Sequence, residues 1–441
     1  MDLREVFVLL GKILLLAALI INVVYIGYCL IKKSYQPKAK HMIYFSAFGL
    51  VLIFLLFGVI HWDFRWKPLI FGLGLMALYS LIAWFKKSKE KPFHIVKAIV
   101  SGLLSFLLVF AFLLPALLFP PYTLPAPSGE YQVLTAEISY YDDKRIETYN
   151  DSGSVREVNV GFWYPDTDSG NFPLIIFDHG FCGIKNSNES TFIELASNGY
   201  VVCSIDHPYQ SFYSTNSQEK TTFIDQGYLR EYSQIGDDME EDVKLLLKWL
   251  ELRVSDTKFV VDTILAQNDS FYSLVNKDSI GIFGHSLGGA TAAALARVCN
   301  DIDAVINLDG PMAYEITGFD SGNYTINPQP YPVPILSIYS QYLYENGIEQ
   351  KDPLYQVNRL ASATAPAYYE VVLKGAQHMN LTDLVLFSPF LASVLDSGRK
   401  ADADSYECLK IMNRVILEFF DSTLKDRGVF EVPEVYSVNG G

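Results

Sequence analysis

Ser286 lies in the run Ile280-Gly281-Ile282-Phe283-Gly284-His285-Ser286-Leu287-Gly288-Gly289, an apolar strand followed by an alanine-rich helix from Ala290. A G-x-S-x-G turn at such a junction lifts a serine hydroxyl onto a sharp bend. Its glycines let neighbouring backbone pass close by, and the helix N-terminus faces the reacting atoms. A serine used this way needs a base to take its proton and an acid to orient that base. Downstream, Leu308-Asp309-Gly310-Pro311 places Asp309 at the end of the apolar run Ala304–Leu308. Lys374-Gly375-Ala376-Gln377-His378 places His378 just beyond the run Tyr368–Leu373. The order Ser286, Asp309, His378 is the one in which such a strand–turn–helix serine has its partners follow in the chain. The anion of a tetrahedral intermediate needs fixed donors. One is the N–H of Leu287. The second belongs to Asp178-His179-Gly180-Phe181-Cys182-Gly183, where Phe181 is the first choice and Cys182 serves if the turn is shifted by one.

Other histidines fit the chemistry less well. His207, in Asp206-His207-Pro208-Tyr209, precedes the nucleophile and reads as a pocket residue. His285 sits inside the turn, with its ring expected to point away from the hydroxyl. His41, His61 and His94 flank apolar segments. Nothing in the chain carries zinc or C-x-x-C spacing, so the expectation is chemistry without metal or cofactor. The scattered Cys182, Cys203, Cys299 and Cys408 read as buried thiols, with one disulfide among them left open.

These residues need a frame. From about Glu130, short strands alternate with helices: Tyr131–Glu137 and Val158–Trp163 flank the turn Asp151-Ser152-Gly153, and apolar runs follow at Leu174–Phe177, Tyr200–Ile205, Ser279–Phe283, Ala304–Leu308, Ile335–Tyr339 and Tyr368–Leu373. The pattern predicts an α/β fold with a mostly parallel eight-stranded sheet and helices on both faces. Val158, Val160 and Phe162 alternate, as on a half-buried antiparallel edge. Helices are expected over Ser190–Asn198, Met239–Arg253, Ala290–Cys299 and Cys408–Leu424. The tyrosine-rich stretches Ser211–Asp237 and Tyr342–Ala365 are expected to cap the site.

Ahead of this frame stand four apolar segments, Val6–Ile31, Met42–Ile60, Pro68–Phe85 and Ile95–Phe119. Each is about long enough to cross a hydrocarbon core of roughly 30 Å. Lys12 and Lys97 lie near segment ends, where a lysine can reach the interface. The first segment is too long, and its start too weakly basic, for a cleaved signal peptide. Lys32, Lys33, Lys38 and Lys40 follow the first segment, and Lys86, Lys87, Lys89 and Lys91 precede the fourth. The positive-inside rule puts both loops in the cytoplasm and everything after Phe119 outside. The expected organisation is a four-helix membrane region over 1–120, a proline-rich linker over 121–129 and a catalytic domain over 130–441. The chain carries 34 Lys and Arg against 49 Asp and Glu, with the acidic excess after residue 120. Such a domain offers no basic face to nucleic acid.

The set Phe162-Trp163-Tyr164-Pro165, His179-Gly180-Phe181, Asp206-His207-Pro208, Arg253-Val254-Ser255-Asp256 with Phe259 and Asp262, Gly284-His285-Ser286-Leu287-Gly288-Gly289, Leu308-Asp309-Gly310 and His378-Met379-Asn380-Leu381-Thr382-Asp383 resembles the platelet-activating factor acetylhydrolases of the plasma and type II kind, over roughly residues 155–385. The resemblance implies hydrolysis of short or oxidised acyl chains from phospholipids without calcium. The chain differs from that family in its four spans, where members are secreted or lipid-anchored, and in Cys182, where glycine is frequent. The resulting expectation is a membrane-tethered serine esterase acting on a lipid-like ester. Alternatives are a serine peptidase or acyltransferase on the same triad, an inactive hydrolase fold used as a surface binding module, and a scaffold or lipid-binding role for the helices.

Overall fold

The computed structural model describes residues 3–86, 92–150, 152–236, 238–320, 323–431 and 433–438, with side chains from residue 9 onward. Lys87, Lys89 and Lys91 of the second basic loop, Asp151 of the first turn and Asp237 of the first polar excursion lie outside these residues. The chain divides into two compact units, Met1–Thr123 with Phe387–Leu391, and Leu124–Leu386 with Ala392–Gly441.

The first unit contains four helices long and apolar enough to cross a membrane: α1 (Leu3–Lys32), α2 (Pro37–Leu56), α3 (Lys67–Phe85) and α4 (Ile95–Leu118). Pro37 and Pro68 open α2 and α3 in the first turn, where no N–H is lost. Val24, Leu75 and Val96 are among many apolar side chains left facing outward. That surface suits lipid and would be a liability in water. Inside, Trp66, Leu69, Leu73 and Leu113 pack together. Tyr44 shares a hydrogen bond of 3.0 Å with Ser105, and the Lys40 ammonium donates to Ser101 Oγ at 3.0 Å.

The second unit is built on one nine-stranded sheet. In chain order its elements are β1 (Val133–Ile146), β2 (Val155–Pro165), β3 (Phe172–Asp178), α5 (Glu189–Ser197), β4 (Val201–Asp206), β5 (Tyr213–Thr215), β6 (Thr221–Phe223), α6 (Gln226–Tyr232), α7 (Met239–Ala266), β7 (Val275–His285), α8 (Leu287–Val298) and β8 (Ala304–Leu308). There follow β9 (Ile316–Asp320), β10 (Asn323–Ile326), β11 (Ile335–Ser340), α9 (Gln341–Leu343), α10 (Pro353–Ser362), β12 (Tyr368–Lys374), α11 (Leu384–Phe387), α12 (Pro389–Leu395), α13 (Ser405–Leu424) and β13 (Val435–Ser437). The main sheet runs β1-β2-β4-β3-β7-β8-β11-β12-β13, while β5-β6 and β9-β10 form separate hairpins.

β1 and β2 are antiparallel to their neighbours, and the rest of the main sheet is parallel. The mixed, mostly parallel sheet expected from the sequence is thus present, with two differences. Val435–Ser437 adds a ninth strand, too short and too polar to be read from hydropathy. β2 is interior rather than an edge, because β1 pairs along almost its whole length and β4 takes its other side. Both faces of β2 are therefore largely buried, and the alternation of Val158, Val160 and Phe162 marks one inward face only.

Leu174, Ile175, Ile176 and Phe177 of β3 are fully buried, as are Ile280, Ile282 and Phe283 of β7. Helices cover both faces of such a sheet. α8 lies close on it through Ala290, Ala292, Ala293 and Ala294, whose small side chains let the helix approach. α7 runs 28 residues, well past the predicted end at Arg253. Its Asp238 N-cap accepts from the N–H groups of Glu240 and Glu241, and acids fill its first turn.

The buried face of α7 carries charge. Asp256 receives Arg156 Nη2 at 2.6 Å and Arg145 Nη1 at 2.9 Å, and Arg156 Nη1 donates to Glu147 at 2.7 Å. His207 bridges Asp256 (3.0 Å) and Asp178 (2.6 Å). Arg156, Asp256, His207 and Asp178 are at most 1% exposed, so the chain of charges ties the β1–β2 hairpin, α7 and the ends of β3 and β4 in a buried layer. Burial acts to raise the Asp256 pKa, but the Arg156 guanidinium and the His207 hydrogen bond hold it well below the carboxylate range. Removing one member of a buried pair strands the other. Arg156→Met should therefore cost about 3–5 kcal/mol in denaturant unfolding of the full chain followed by near-UV circular dichroism. A cost below about 1 kcal/mol would mean the network is replaceable.

Candidate active site

The order of the sheet reverses at β3, which has β4 on one side and β7 on the other. Crevices in open α/β sheets form at such points, outside the carboxyl ends of the strands. Asp178 at the end of β3 pairs in register with Gly284, and His285 at the end of β7 pairs with Leu308. Ser286, Asp309 and the 179–183 loop all leave the sheet here.

Ser286 takes φ 55° and ψ −119°, a conformation costly for any residue with a Cβ. Its N–H donates to Leu308 O at 2.7 Å, and its carbonyl accepts the first bond of α8 from Ala290 N at 3.0 Å. The motif glycines are required by contact. A Cβ on Gly284 would lie 2.2 Å from Gly288 O, and one on Gly288 would lie 1.9 Å from Asp178 O. Gly289 and Gly310 press in the same way on the amide of Asn307. That amide donates to Gly310 O and accepts from Gly310 N, both at 2.8 Å. Asn307, which the sequence reading did not single out, thus joins the serine turn to the Asp309 turn.

Asp309 is fully buried, with φ 55°. Ser340 N donates to its Oδ1 at 2.8 Å and Ser340 Oγ to its Oδ2 at 2.6 Å. The same Oδ2 meets His378 Nδ1 at 3.0 Å. His378 opens a single 3-10 turn, His378–Leu381, capped by Gln377 and Asn380. Its side chain is 26% exposed, so one side of the ring is open. The Ser286 hydroxyl makes no hydrogen bond among the described residues. The His378–Asp309 contact is formed, and no hydrogen bond joins Ser286 Oγ to His378 among the described residues.

His285 lies against His378. Its ring centroid is 4.4 Å from that of His378, and its Nε2 lies 3.1 Å from His378 O. Burial, with the His378 ring beside it, holds His285 well below the usual histidine range, so Nε2 carries a proton and donates. His207 lines no open pocket; it is fully buried in the ionic layer.

The 179–183 segment is a tight turn closed by Gly183 N to Gly180 O at 3.0 Å. Cys182 takes φ 54°, the backbone setting in which glycine is usual. Burial pushes its thiol up to about 12, which keeps it un-ionised. A Cβ on Gly180 would lie 3.2 Å from Ser286 Cβ, so this turn passes directly against the serine. The Phe181 ring stacks on Tyr232 at 3.8 Å and lies 4.9 Å from Tyr228. Both tyrosines come from α6 in the excursion 211–237, which therefore walls the turn. Phe181 and Leu287 pack in one cluster with Trp249 and Leu250. All five cysteines are free thiols. Two shallow cavities of about 350 and 380 Å³ lie elsewhere, one at the opening residues of β3 near Lys425 and one beside Trp163 and Glu189.

With this geometry in view, the comparisons are direct. The family model for platelet-activating factor acetylhydrolase, isoform II, matches residues 156–431, and the chain belongs to that family. It is 24% identical over 273 residues to platelet-activating factor acetylhydrolase of Bos taurus, covering 57% of each chain. It is 24% identical over 311 residues to a putative phospholipase A2 of Schizosaccharomyces pombe, covering 59% of this chain and 70% of that one. The chain thus spans a little over half the length of the cattle protein. In fold it is similar to a ferulic acid esterase from Streptomyces cinnamoneus, with a TM-score of 0.54 and 20% identity over 70% of this chain and 95% of that one.

The loop carrying His378 ends at Asp383, whose carboxylate accepts from Ser190 N at 2.7 Å and Ser190 Oγ at 2.6 Å. Burial pushes Asp383 up to about 7, against these bonds. Its folded pKa lies above the unfolded value of about 3.9, so its contribution to stability is full below about pH 4 and lost as pH rises through 7. Asp383→Asn should flatten the pH dependence of unfolding between pH 4 and 7 by a few kcal/mol. Equal slopes in variant and wild type would show that Asp383 is ionised throughout.

Proposed function

We propose that the chain is a membrane-tethered serine ester hydrolase that cleaves a short-chain or phospholipid-derived acyl ester. Ser286 attacks the ester carbonyl while His378 takes its proton and passes it to the leaving alcohol. Asp309 keeps the His378 proton on Nδ1 and stabilises the imidazolium that forms. The N–H groups of Phe181 and Leu287 receive the negative oxygen of the tetrahedral intermediate, and water then frees the acyl group from Ser286 by the same steps in reverse. The observation that carries this reading is the convergence, at one end of the sheet, of a left-handed Ser286 with the His378–Asp309 pair held 3.0 Å apart. Family membership and the relatives' printed activities support an ester of the phospholipid class.

The proposed organisation is a membrane region over 1–120, a linker over 121–129 and a catalytic domain over 130–441. The basic loops would face the cytoplasm and the catalytic domain the outside. The proline-rich stretch from Pro120 to Pro127 favours a stiff spacer. A tether of this kind keeps the serine near lipid esters without requiring a soluble substrate.

The test is turnover of p-nitrophenyl esters from acetate to palmitate by the detergent-solubilised full chain. Ser286→Ala and His378→Ala should each lose roughly 10⁵–10⁶-fold in kcat, and Asp309→Asn about 10⁴-fold. Wild type should be labelled at Ser286 by a fluorophosphonate. Activity restricted to short acyl chains supports an acetylhydrolase-like specificity, and activity rising with chain length assigns a lipase. A folded wild type that neither turns over an ester nor takes the label overturns the proposal.

A further inference from the structure

Arg253 is fully buried on α7 and makes no ion pair among the described residues. The nearest carboxylate on its own helix face, Asp256, is taken by Arg156, Arg145 and His207. The guanidinium is spent instead on neutral acceptors. Its Nη1 donates to His179 O at 2.5 Å, its Nη2 reaches Gly180 O at 3.4 Å, and its Nε donates to Gln210 Oε1 at 2.9 Å. A buried cation without a counter-charge is costly, and its position therefore needs a reason.

The reason lies in what the two carbonyls belong to. Gly180 O is the oxygen of the peptide whose N–H is Phe181. That oxygen accepts from Arg253, from Gly183 N at 3.0 Å and from His179 Nδ1 at 2.7 Å. His179 is neutral, because burial and then the neighbouring Arg253 hold it well below the histidine range. Its Nε2 faces Ser211 Oγ at 2.7 Å and accepts from it, so the Nδ1 proton is fixed toward Gly180. No peptide bond among the described residues is cis. In a trans peptide N–H and C=O point in opposite directions. Three donors behind the oxygen therefore aim the Phe181 N–H away from α7. It emerges on a turn whose Gly180 touches Ser286.

We infer that Arg253 is a positioning residue for the oxyanion hole: it locks the Gly180–Phe181 peptide and polarises it, so that the Phe181 N–H is a pre-aimed donor to the developing oxyanion. This deepens the serine-hydrolase reading and rests on it. The cation lies behind the peptide, where it strengthens the N–H as a donor. Lysine cannot replace it, since a single ammonium does not span two successive carbonyls.

The test uses the full chain in detergent with Arg253→Met, Arg253→Lys and Gln210→Leu, the last freeing one edge of the guanidinium without removing its charge. Kinetics on p-nitrophenyl acetate are measured beside the inhibition constant of a trifluoromethyl ketone, which adds to serine and places an oxyanion in the hole. Active sites are counted by end-point fluorophosphonate labelling. Per active site, Arg253→Met should lose about 10²-fold in kcat with KM within about threefold, and the ketone should weaken by the factor lost in kcat/KM. Arg253→Lys should fall between it and wild type, and Gln210→Leu should lose severalfold with the same correlation. The inference is overturned if kcat per active site is unchanged, or if kcat falls while ketone affinity stays. Should both arginine variants fail to fold, an unchanged Gln210→Leu overturns it alone. An inactive, unlabelled wild type sinks the serine-hydrolase reading and this inference with it, whereas an active wild type matched by its variants sinks the inference alone.

Discussion

The site depends on one close backbone approach. Ser286 holds φ 55° at the junction of a buried strand and a buried helix, and that conformation persists only where its surroundings over-determine it. Gly284, Gly288 and the carbonyl of Asp178 meet with no room for a Cβ on either glycine. The three segments are thereby fixed to one another: the end of β3, the end of β7 and the start of α8. The 179–183 turn and Asp309 grow from one of these or from the next strand over, while His378 follows β12 further along the sheet. The 179–183 turn continues from Asp178, and the Asp309 turn is joined to the elbow through Asn307 and the Ser286 N–H to Leu308 O bond. A change in any one approach would move the nucleophile and its partners together.

That packing explains position but not charge. The sheet ends are surrounded by an ionic layer that contains Asp178, His207, Asp256, Arg156 and Glu147, all nearly inaccessible. Buried charge of this kind rarely adds net stability over an apolar core of the same shape, but each member enforces the placement of the next. Here the chain of contacts runs from the β1–β2 hairpin to Asp178, the residue immediately before the 179–183 turn. Thr257 Oγ1 adds a further bond to Asp178 at 3.1 Å. α7 therefore fixes the start of the turn through Asp256 and Thr257, and its interior through Arg253 one helical turn earlier.

Much of this was legible in the residues. The fold class followed from short apolar runs alternating with helices, because strands buried on both faces must be apolar throughout. Ser286, Asp309 and His378 could be proposed as a set because Asp309 directly follows such a run and the other two lie a short turn beyond one. Three things were hidden. The extent of α7 was lost because its second half mixes Lys258, Asp262 and Thr263 with Val260 and Val261, and the apolar stripe is narrow. β13 was missed because three residues at a sheet edge carry too little periodicity. Arg253 and Asn307 were not assigned roles because their partners are backbone atoms and a glycine turn, which leave no mark in a side-chain pattern. A signal existed for Arg253: with Asp256 and Thr257 it puts polar groups at i, i+3 and i+4 on the face that also carries Leu250, Val254 and Val260. Polar residues on the buried stripe of a helix demand partners, and that demand is a prediction of a network.

The two histidines flanking the site complete the electrostatic picture. His179 and His285 are both held neutral by burial, one behind the 180–181 peptide and the other against His378. Neutral rings donate hydrogen bonds in fixed tautomers without adding positive charge beside His378. Of the cations near the turn, Arg253 stands on the carbonyl side of the Gly180–Phe181 peptide, Lys185 pairs with Asp206, and Arg156 and Arg145 are paired within the ionic layer. Under the proposed function, negative charge on a substrate oxygen would meet the Phe181 N–H dipole, with Arg253 behind it. Positive charge on His378 would likewise meet the buried Asp309 carboxylate, which two bonds from Ser340 orient. These donors and acceptors are held by buried contacts of the fold itself, which is the condition under which, in the proposed reaction, electrostatic stabilisation would cost no reorganisation.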